Sequence, residues 1–408
     1  MKLLLIMAWR GLWRNKRRTI ITISAVAFAT FLTLISKAMN DGTYLTNIKY
    51  AVDSYTGYIQ INQKGYIDNP TLKKSFFPTE DIKSVIKSTP YLKSFTRRVV
   101  GDGLIAHKSN TFGVMILGID PDYEKTVSKI GDKIKDGNFV NNYNKNDIVV
   151  GAKLLEKLEA KLGDSIVVLV SCYDGSMGDM KLRIGGIIKS GQAETDAGIV
   201  FMHIETAQDL FALDGRISSI VISLNDFDKI SIAKEYLVRN AGNELEVSDW
   251  TKIMPELKQT MDMDSVNSLI FLGILIVIVG FGILNTILMS VTERFREFGV
   301  ILALGARNIK IIWVVIFETI GISIIGLLLG LVLGALLNYY VYFNPIPITG
   351  IMAEMYSDLG FIPAIYTTVS FDIYTYTISY ILIICFLAMV YPVYKISRLE
   401  PLKGIRFT

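Results

Sequence analysis

Four long stretches almost free of charge interrupt this sequence, and a soluble fold has no place for all of them. Eighteen uncharged residues, "TIITISAVAFATFLTLIS", lie between Arg18 and Lys37. A second uncharged run covers Ser265 to Thr292, a third begins at Ile311 and carries one charge, Glu318, before Glu354, and a fourth occupies Ile373 to Tyr394. A helix needs about 20 apolar residues to cross roughly 30 Å of hydrocarbon. The runs therefore predict four transmembrane helices, at 19–38, 265–292, 311–340 and 373–394. The second, at about 1.5 Å per residue, outruns the hydrocarbon and must tilt or project. A composition of 51% hydrophobic residues and a mean hydropathy of +0.41 agree with a membrane protein. A cleavable signal peptide is the other reading of the first run, because Ser36-Lys37-Ala38 spaces small residues suitably. Its apolar core exceeds the usual signal core of about 7 to 15 residues, and Lys37 falls inside the cleavage site.

Basic residues set the orientation. Residues 1–18 carry Lys2, Arg10, Arg14, Lys16, Arg17 and Arg18, whereas Val341 to Asp372 holds no Lys or Arg, so the first stretch is read as cytosolic and the second as exported. The 293–310 loop, with Arg294, Arg296, Arg307 and Lys310, and the 395–408 tail, with Lys395, Arg398, Lys403 and Arg406, fall on the cytosolic side. Both termini are then cytosolic, and the segment 39–264 is the large exported domain, with a second exported loop at 341–372. Strand-like runs at 57–61, 113–119, 165–170, 181–189 and 219–224 alternate with helical patterns, which reads as α+β. In "AKLLEKLEAKL" (152–162), Leu154, Leu155, Leu158 and Leu162 form one apolar stripe. The turn residues of "YDGSMGD" (173–179) predict a projecting hairpin. The domain reads as a flanking lobe, 39–99 and 199–264, with an inserted lobe at 100–198.

Several chemistries are excluded. The net charge of +4, from 42 basic and 38 acidic residues, is too even for a nucleic-acid binder. No G-x-x-x-x-G-K-[ST] occurs, so the chain is not its own ATPase. His107 and His203 lack Cys or Glu at ligand spacing, and no metal site is expected. No G-x-S-x-G elbow is present, and the chain is read as non-catalytic, with no cofactor of its own. Of the two cysteines, Cys172 and Cys385, the second lies in an apolar run, which excludes a disulfide-stapled ectodomain.

What remains is placed on or beside the spans. Glu318 sits inside the third span, where a carboxylate requires a function or a partner. As alternatives, it reaches headgroups or water, or pairs with a basic residue of a neighbouring chain. Gly326, Gly330 and Gly334 repeat every fourth residue and line one helix face for close packing or sliding. In "NTILMSVTERFREFGVILALGARNIK" (285–310), Val291, Phe295, Phe298 and Leu302 form one apolar helical face, with Glu293, Arg294, Arg296 and Glu297 on the rest. A topological stop needs no glutamates, and charges of both signs suit a docking surface. Trp9 and Trp13, four apart among basic residues 8–18, suit an interfacial helix before the first span.

The layout resembles the FtsX-like, or MacB-type, ABC transporter permeases along essentially the whole chain. The resemblance rests on Glu293, Arg294, Glu297, Phe298, Gly299 and Ala303 to Ala306, on Glu400, Pro401, Ile405 and Arg406, and on "VVGAKLLEKLEAKLGDSIVV" (149–168). It implies a non-catalytic permease of the bacterial inner membrane that pairs with a second permease chain, identical or related. It further implies two copies of a separate ABC ATPase, which bind ATP and Mg and dock on Thr292, Glu293, Arg294, Phe295, Arg296, Glu297, Phe298 and Gly299. Chain length, the lack of a fused ATPase, "MILGIDPD" (115–122) and "DWTKIMPELKQTM" (249–261) look like the LolC/LolE branch, which extracts lipoproteins from the membrane for a periplasmic carrier. On position alone, Cys172, Tyr173, Asp174, Gly175, Ser176, Met177 and Gly178 are the candidate carrier-contacting hairpin. Peptide or drug export, and FtsX-type signalling to a cell-wall hydrolase, share the layout.

Overall fold

The computed structural model describes residues 2–304, 307–358 and 361–397. The chain forms two compact units. A helical unit comprises the residues up to Tyr44, Met261–Pro347 and those from Ile365 onward, and a sheet unit comprises Leu45–Thr260 with Ile348–Ala364.

The sheet unit is built on ten strands: β1 (Ile59–Gln63), β2 (Leu92–His107), β3 (Asn110–Ile119), β4 (Ile134–Gly137), β5 (Asp147–Gly151), β6 (Ser165–Ser171), β7 (Met177–Ile188), β8 (Ile199–His203), β9 (Ser219–Leu224) and β10 (Leu245–Asp249). They run in the order β10-β1-β9-β2-β3-β8-β5-β7-β4, and β6 joins β2 to β7. The β3/β8 and β5/β7 pairs are parallel, and the other pairings are antiparallel. Side-chain alternation explains the half-covered strands: in β6, Ile166, Val168 and Val170 point inward while Ser165, Val167 and Ser171 are exposed. The β9 run "SIVISL" is buried throughout, as a strand covered on both faces must be. Because β1 pairs with β10, Ile59 opposite Asp249, the two chain ends of the sheet meet at one edge.

Three sequence expectations change here. The proposed lobe boundary at 99/100 falls inside β2, which pairs with β3 from Arg98 to His107 and with β9 from Leu92 to Arg98. A single sheet therefore crosses the boundary drawn between the flanking and inserted lobes. The 152–162 helix stops at Leu158, because Glu159 turns left-handed at φ 50°. Leu154 and Leu158 are buried, but Leu162, beyond the turn, is 45% exposed. Residues 348–364, read as part of a loop spanning 341–372, belong to the sheet unit.

In the helical unit, the helices Lys16–Ala51, Pro255–Glu293, Asn308–Phe343 and Phe371–Ser397 are each long and apolar enough to cross a membrane. All four extend past the expected spans, the first two by the most. Hydropathy marks only the part of a helix that suits lipid, and helical hydrogen bonding continues through polar residues such as Glu256 and Asp264. Along the second helix Leu275, Val279, Ile283, Ile287 and Val291 are buried at every fourth position, and they pack with Val26, Val315, Ile381 and Ile384. Phe281, Leu328, Leu336 and Phe386 point outward and are more than half exposed.

Candidate functional site

The long helix ends at Glu293, and Arg294 (φ −103°, ψ 7°) turns the chain into a second, shorter helix, Phe295–Ala303. That helix is held down by its apolar face. Val291, Phe295, Phe298 and Leu302 are all buried in the cluster that holds Ile287, Ile311 and Val315. Burying each such side chain contributes roughly 1.5–3 kcal/mol. The segment is therefore part of the bundle core on one side.

Its charges are largely occupied within the chain. Arg14, ending the N-terminal helix Lys2–Arg14, donates to Glu297 at 2.7 Å. Arg18 donates to both carboxylate oxygens of Glu293, with Nη1 to Oε2 at 3.0 Å. Arg294, placed among the outward polar residues by the helical pattern, is instead 7% exposed. It donates to Glu318 at 3.3 Å and to Glu297 at 3.3 Å, and its guanidinium lies 5.0 Å from the Phe298 ring centre. Glu318, 9% exposed, also accepts from Ser290 Oγ at 3.4 Å. Its partner is thus in its own chain, a correction to the expectation of water, headgroups or a neighbouring chain. The reason is the turn at Arg294, which swings a side chain from the end of one span against the flank of another. No linear pattern encodes that.

Gly11 completes the joint, since a Cβ there would lie 3.0 Å from Arg294 Nη1 and 3.5 Å from both Glu318 oxygens. Gly11, Arg14, Arg18, Ser290, Arg294 and Glu318 line a cavity of about 30 Å³, roomy enough to admit water. Removing one member of a buried ion pair costs about 3–5 kcal/mol, whereas an exposed pair such as Arg14–Glu297 contributes about 0–1 kcal/mol. A second missed device is the bend before the first span: Thr19 Oγ1 donates to Leu12 O at 2.6 Å, which folds the chain at Asn15 and sets the N-terminal helix against the joint.

The glycine row faces the first span. A Cβ at Gly326 would lie 2.7 Å from that of Val26, one at Gly330 2.4 Å from Ala27 O, and one at Gly334 3.3 Å from Leu34. Only a hydrogen fits at the first two. Across the same bundle, Thr22 and Thr286 share a hydrogen bond of 2.9 Å.

The 172–178 hairpin is less free than its turn residues suggested. Cys172 is buried, and its thiol donates to Leu210 O at 3.3 Å, while Tyr173 N donates to Phe211 O. A Cβ on Gly178 would meet Leu210 O at 2.6 Å. Exposure is confined to Asp174, Gly175, Ser176 and Met177, the last 75% exposed. The Asp174 carboxylate accepts from the Ser176 hydroxyl and amide, which holds it below the usual carboxylate range. The tip is a tied turn.

Comparison with known proteins places these elements in a family. The signature of the MacB-like periplasmic core domain matches residues 19–239, more than half of the chain, and that of the FtsX-like permease C-terminal region matches 269–401. The chain belongs to the MacB/FtsX-type ABC transporter permeases. Among curated relatives of this permease, the lipoprotein-releasing system transmembrane protein LolC of Neisseria meningitidis is 24% identical, over 98% of this chain and 99% of its own. LolC of Xylella fastidiosa is 28% identical over 72% of this chain and 73% of its own. The macrolide export ATP-binding/permease protein MacB of Acinetobacter baylyi is 23% identical over 79% of this chain but 50% of its own.

The FtsX-like match in this permease contains the Arg294–Glu318 joint and the glycine row. Gly305, Ala306 and the tail residues Arg398, Glu400, Pro401, Lys403, Ile405 and Arg406 lie outside the described residues. The histidines are structural. His107 Nδ1 bonds Leu158 O at 3.1 Å, and His203 accepts from Glu205 N at 3.2 Å, capping the helix Ile204–Leu210. Among the described residues, no group of three His, Cys, Asp or Glu is arranged to hold a metal.

Proposed function

We propose that the chain is the non-catalytic permease subunit of an ATP-driven lipoprotein-releasing system, working by mechanical transmission from a separate ATPase to the exported sheet unit. The carrying observation is the end-to-end alignment with LolC, 98% of one chain on 99% of the other, where MacB is matched over half its length. The missing nucleotide motif supports a separate ATPase. In this reading the chain resides in the bacterial inner membrane with both termini cytosolic, as its basic flanks favour. It pairs with a second permease chain, and two ATPase copies dock on the 292–299 segment and the helix that continues it.

The geometry refines which residues would receive the ATPase. Glu293 and Glu297 are engaged by Arg18 and Arg14. The outward face of the short helix is Arg296, Val300 and Ala303, at i, i+4 and i+7, extended by Leu304 at 84% exposure. An apolar face with one cation suits insertion into a groove of the ATPase. In the sheet unit, Asp174, Gly175, Ser176 and Met177 are the carrier-contact candidates, and Cys172 is withdrawn from that role by its burial.

Depletion of the chain followed by fractionation of lipoproteins between membranes tests the substrate, and unchanged sorting would overturn it. Val300→Asp with Leu304→Asp is expected to cut ATPase co-purification at least tenfold while membrane insertion persists. Undiminished co-purification would remove the docking face. Export of a soluble peptide or drug, favoured by the MacB alignment, instead requires accumulation of that compound in depleted cells with lipoprotein sorting intact.

A further inference from the structure

The joint is a closed charge set. Three arginines, Arg14, Arg18 and Arg294, face three glutamates, Glu293, Glu297 and Glu318, all within the helical unit. The pairs differ sharply in burial. Side chains of Arg14 and Glu297 are 51% and 50% exposed, and those of Arg18 and Glu293 are 18% and 41% exposed. Those of Arg294 and Glu318 are 9% and 12% exposed. Water readily replaces a partner where the carboxylate is exposed, as at Glu297 and Glu293, but it reaches the buried guanidinium and carboxylate far less, so parting them costs more. The Arg294 guanidinium is fixed further by Phe298 and Glu297, and Glu318 by Ser290.

We infer that Arg294 and Glu318 lock the short helix Phe295–Ala303 to the helix Asn308–Phe343 as one rigid lever, while Arg14–Glu297, from the N-terminal helix to the short helix, and Arg18–Glu293, from the first span to the end of the second, are the releasable contacts around it. Arg294 and Glu318 are positioning residues. A push on Val300 or Leu304 is carried along the third span because separating the inner pair would expose two charges to hydrocarbon. The outer pairs exchange partners with water, so the same push opens the face against Arg14 and Arg18. Gly11 permits this arrangement, since its missing side chain lets the N-terminal helix close over the inner pair without bonding to it. The cavity of about 30 Å³ beside the pair leaves room for the opening motion to begin. Movement under ATP rests on the function proposed above, but the stiffness difference does not.

Distance measurements between nitroxide labels on the full chain in nanodiscs test both levels, in a background with Cys172→Ala and Cys385→Ala. Labels at Ala303 and Leu336 report the inner joint, and labels at Arg10 and Ala303 the outer one. Without any ATPase, Glu318→Gln is expected to at least double the width of the inner distance distribution. Arg14→Gln with Glu297→Gln should leave it unchanged and broaden the outer one. If Glu318→Gln does not insert, Glu318→Asp, which keeps the charge but shortens its reach, carries the same comparison with a smaller broadening. With the ATPase bound and nucleotide added, the inner distance should hold to within about 2 Å while the outer one shifts by more. The charge-swapped pair Arg294→Glu with Glu318→Arg should restore the narrow distribution. An inner distance that stays narrow in Glu318→Gln and Glu318→Asp, or that broadens equally when the outer pairs are removed, overturns the lever. Failure of any ATPase to bind the wild-type chain overturns the proposed function instead, and the ATPase-free comparison still decides the inference.

Discussion

Each unit of this permease buries one arginine against one glutamate, and the two pairs are built differently. In the sheet unit, Arg98 of β2 meets Glu124 through Nε at 3.0 Å and Nη2 at 2.5 Å, with side chains 2% and 1% exposed. Ser128 Oγ donates to the same carboxylate at 2.6 Å, so nearly every polar atom is satisfied at short range. In the helical unit, Arg294 reaches Glu318 through one contact of 3.3 Å, divides its guanidinium with Glu297, and borders a cavity. A two-pronged pair holds a single geometry. A one-pronged, shared pair is held instead by burial and by what else each side chain touches, Glu297 and Phe298 for Arg294 and Ser290 for Glu318. The difference teaches that burial alone does not mark a functional charge. Bonding geometry separates a rivet from a joint.

That contrast breaks most readily at the rivet. Glu124→Gln leaves Arg98 charged at 2% exposure, and thermal unfolding of the purified chain should register a loss of about 3–5 kcal/mol from the sheet unit. Arg98→Met with Glu124→Leu should recover most of that loss, because apolar residues of similar volume replace a buried pair with little penalty. Recovery of coupling by apolar replacement of Arg294 and Glu318 would erase the distinction, and ATP-dependent transport is the readout. Next in size is the packing beside the joint. Gly330→Leu forces a side chain against Ala27 O and Thr30, with an expected cost of about 1–3 kcal/mol and a fall in detergent-resistant helical signal on heating.

The smallest effects sharpen the edges. Arg14→Gln should change stability by less than about 1 kcal/mol, an effect that raised salt should shrink further, because half of that side chain is in water. In the sheet unit, burial holds His203 below its ordinary value, with the Glu205 carboxylate opposing the shift and the Lys145 ammonium adding to it. Its neutral ring accepts the Glu205 amide, so the folded state binds the proton less readily than the unfolded chain. The stabilisation is fully present above about pH 6.5 and is lost as pH falls through the lower folded value. His203→Asn, which keeps a capping acceptor without titrating, should flatten that slope between pH 5 and about 6.5 in a melting series.

Much of this was legible in the residues. The helices were visible because hydrocarbon-length apolar runs need no tertiary information, and the apolar face of Val291, Phe295, Phe298 and Leu302 was readable because helical period alone defines a face. The strands at 113–119, 165–170 and 219–224 were visible as β-branched runs. The reading went astray where the backbone departs from its local pattern. A left-handed Glu159 ended one helix, a turn at Arg294 inverted one side chain, and a buried thiol at Cys172 tied down a hairpin that composition marked as free. A sheet joining β2 to β3, β6 and β9 runs across the boundary expected between the flanking lobe and the inserted lobe at 100–198.

The sequence by itself determined where the chain can meet lipid, which stretches are basic, that no G-x-x-x-x-G-K-[ST] motif occurs, and which face of residues 291–302 is apolar. Those properties are additive along the chain, each residue contributing whatever its neighbours do. Only the tertiary structure decided that Arg14 and Arg18 engage Glu297 and Glu293, that Arg294 turns inward to Glu318, and that Gly11 leaves them room. Ion pairs between residues hundreds of positions apart depend on how helices cross. A charge in a sequence states only that a partner is needed, and the packing chooses it.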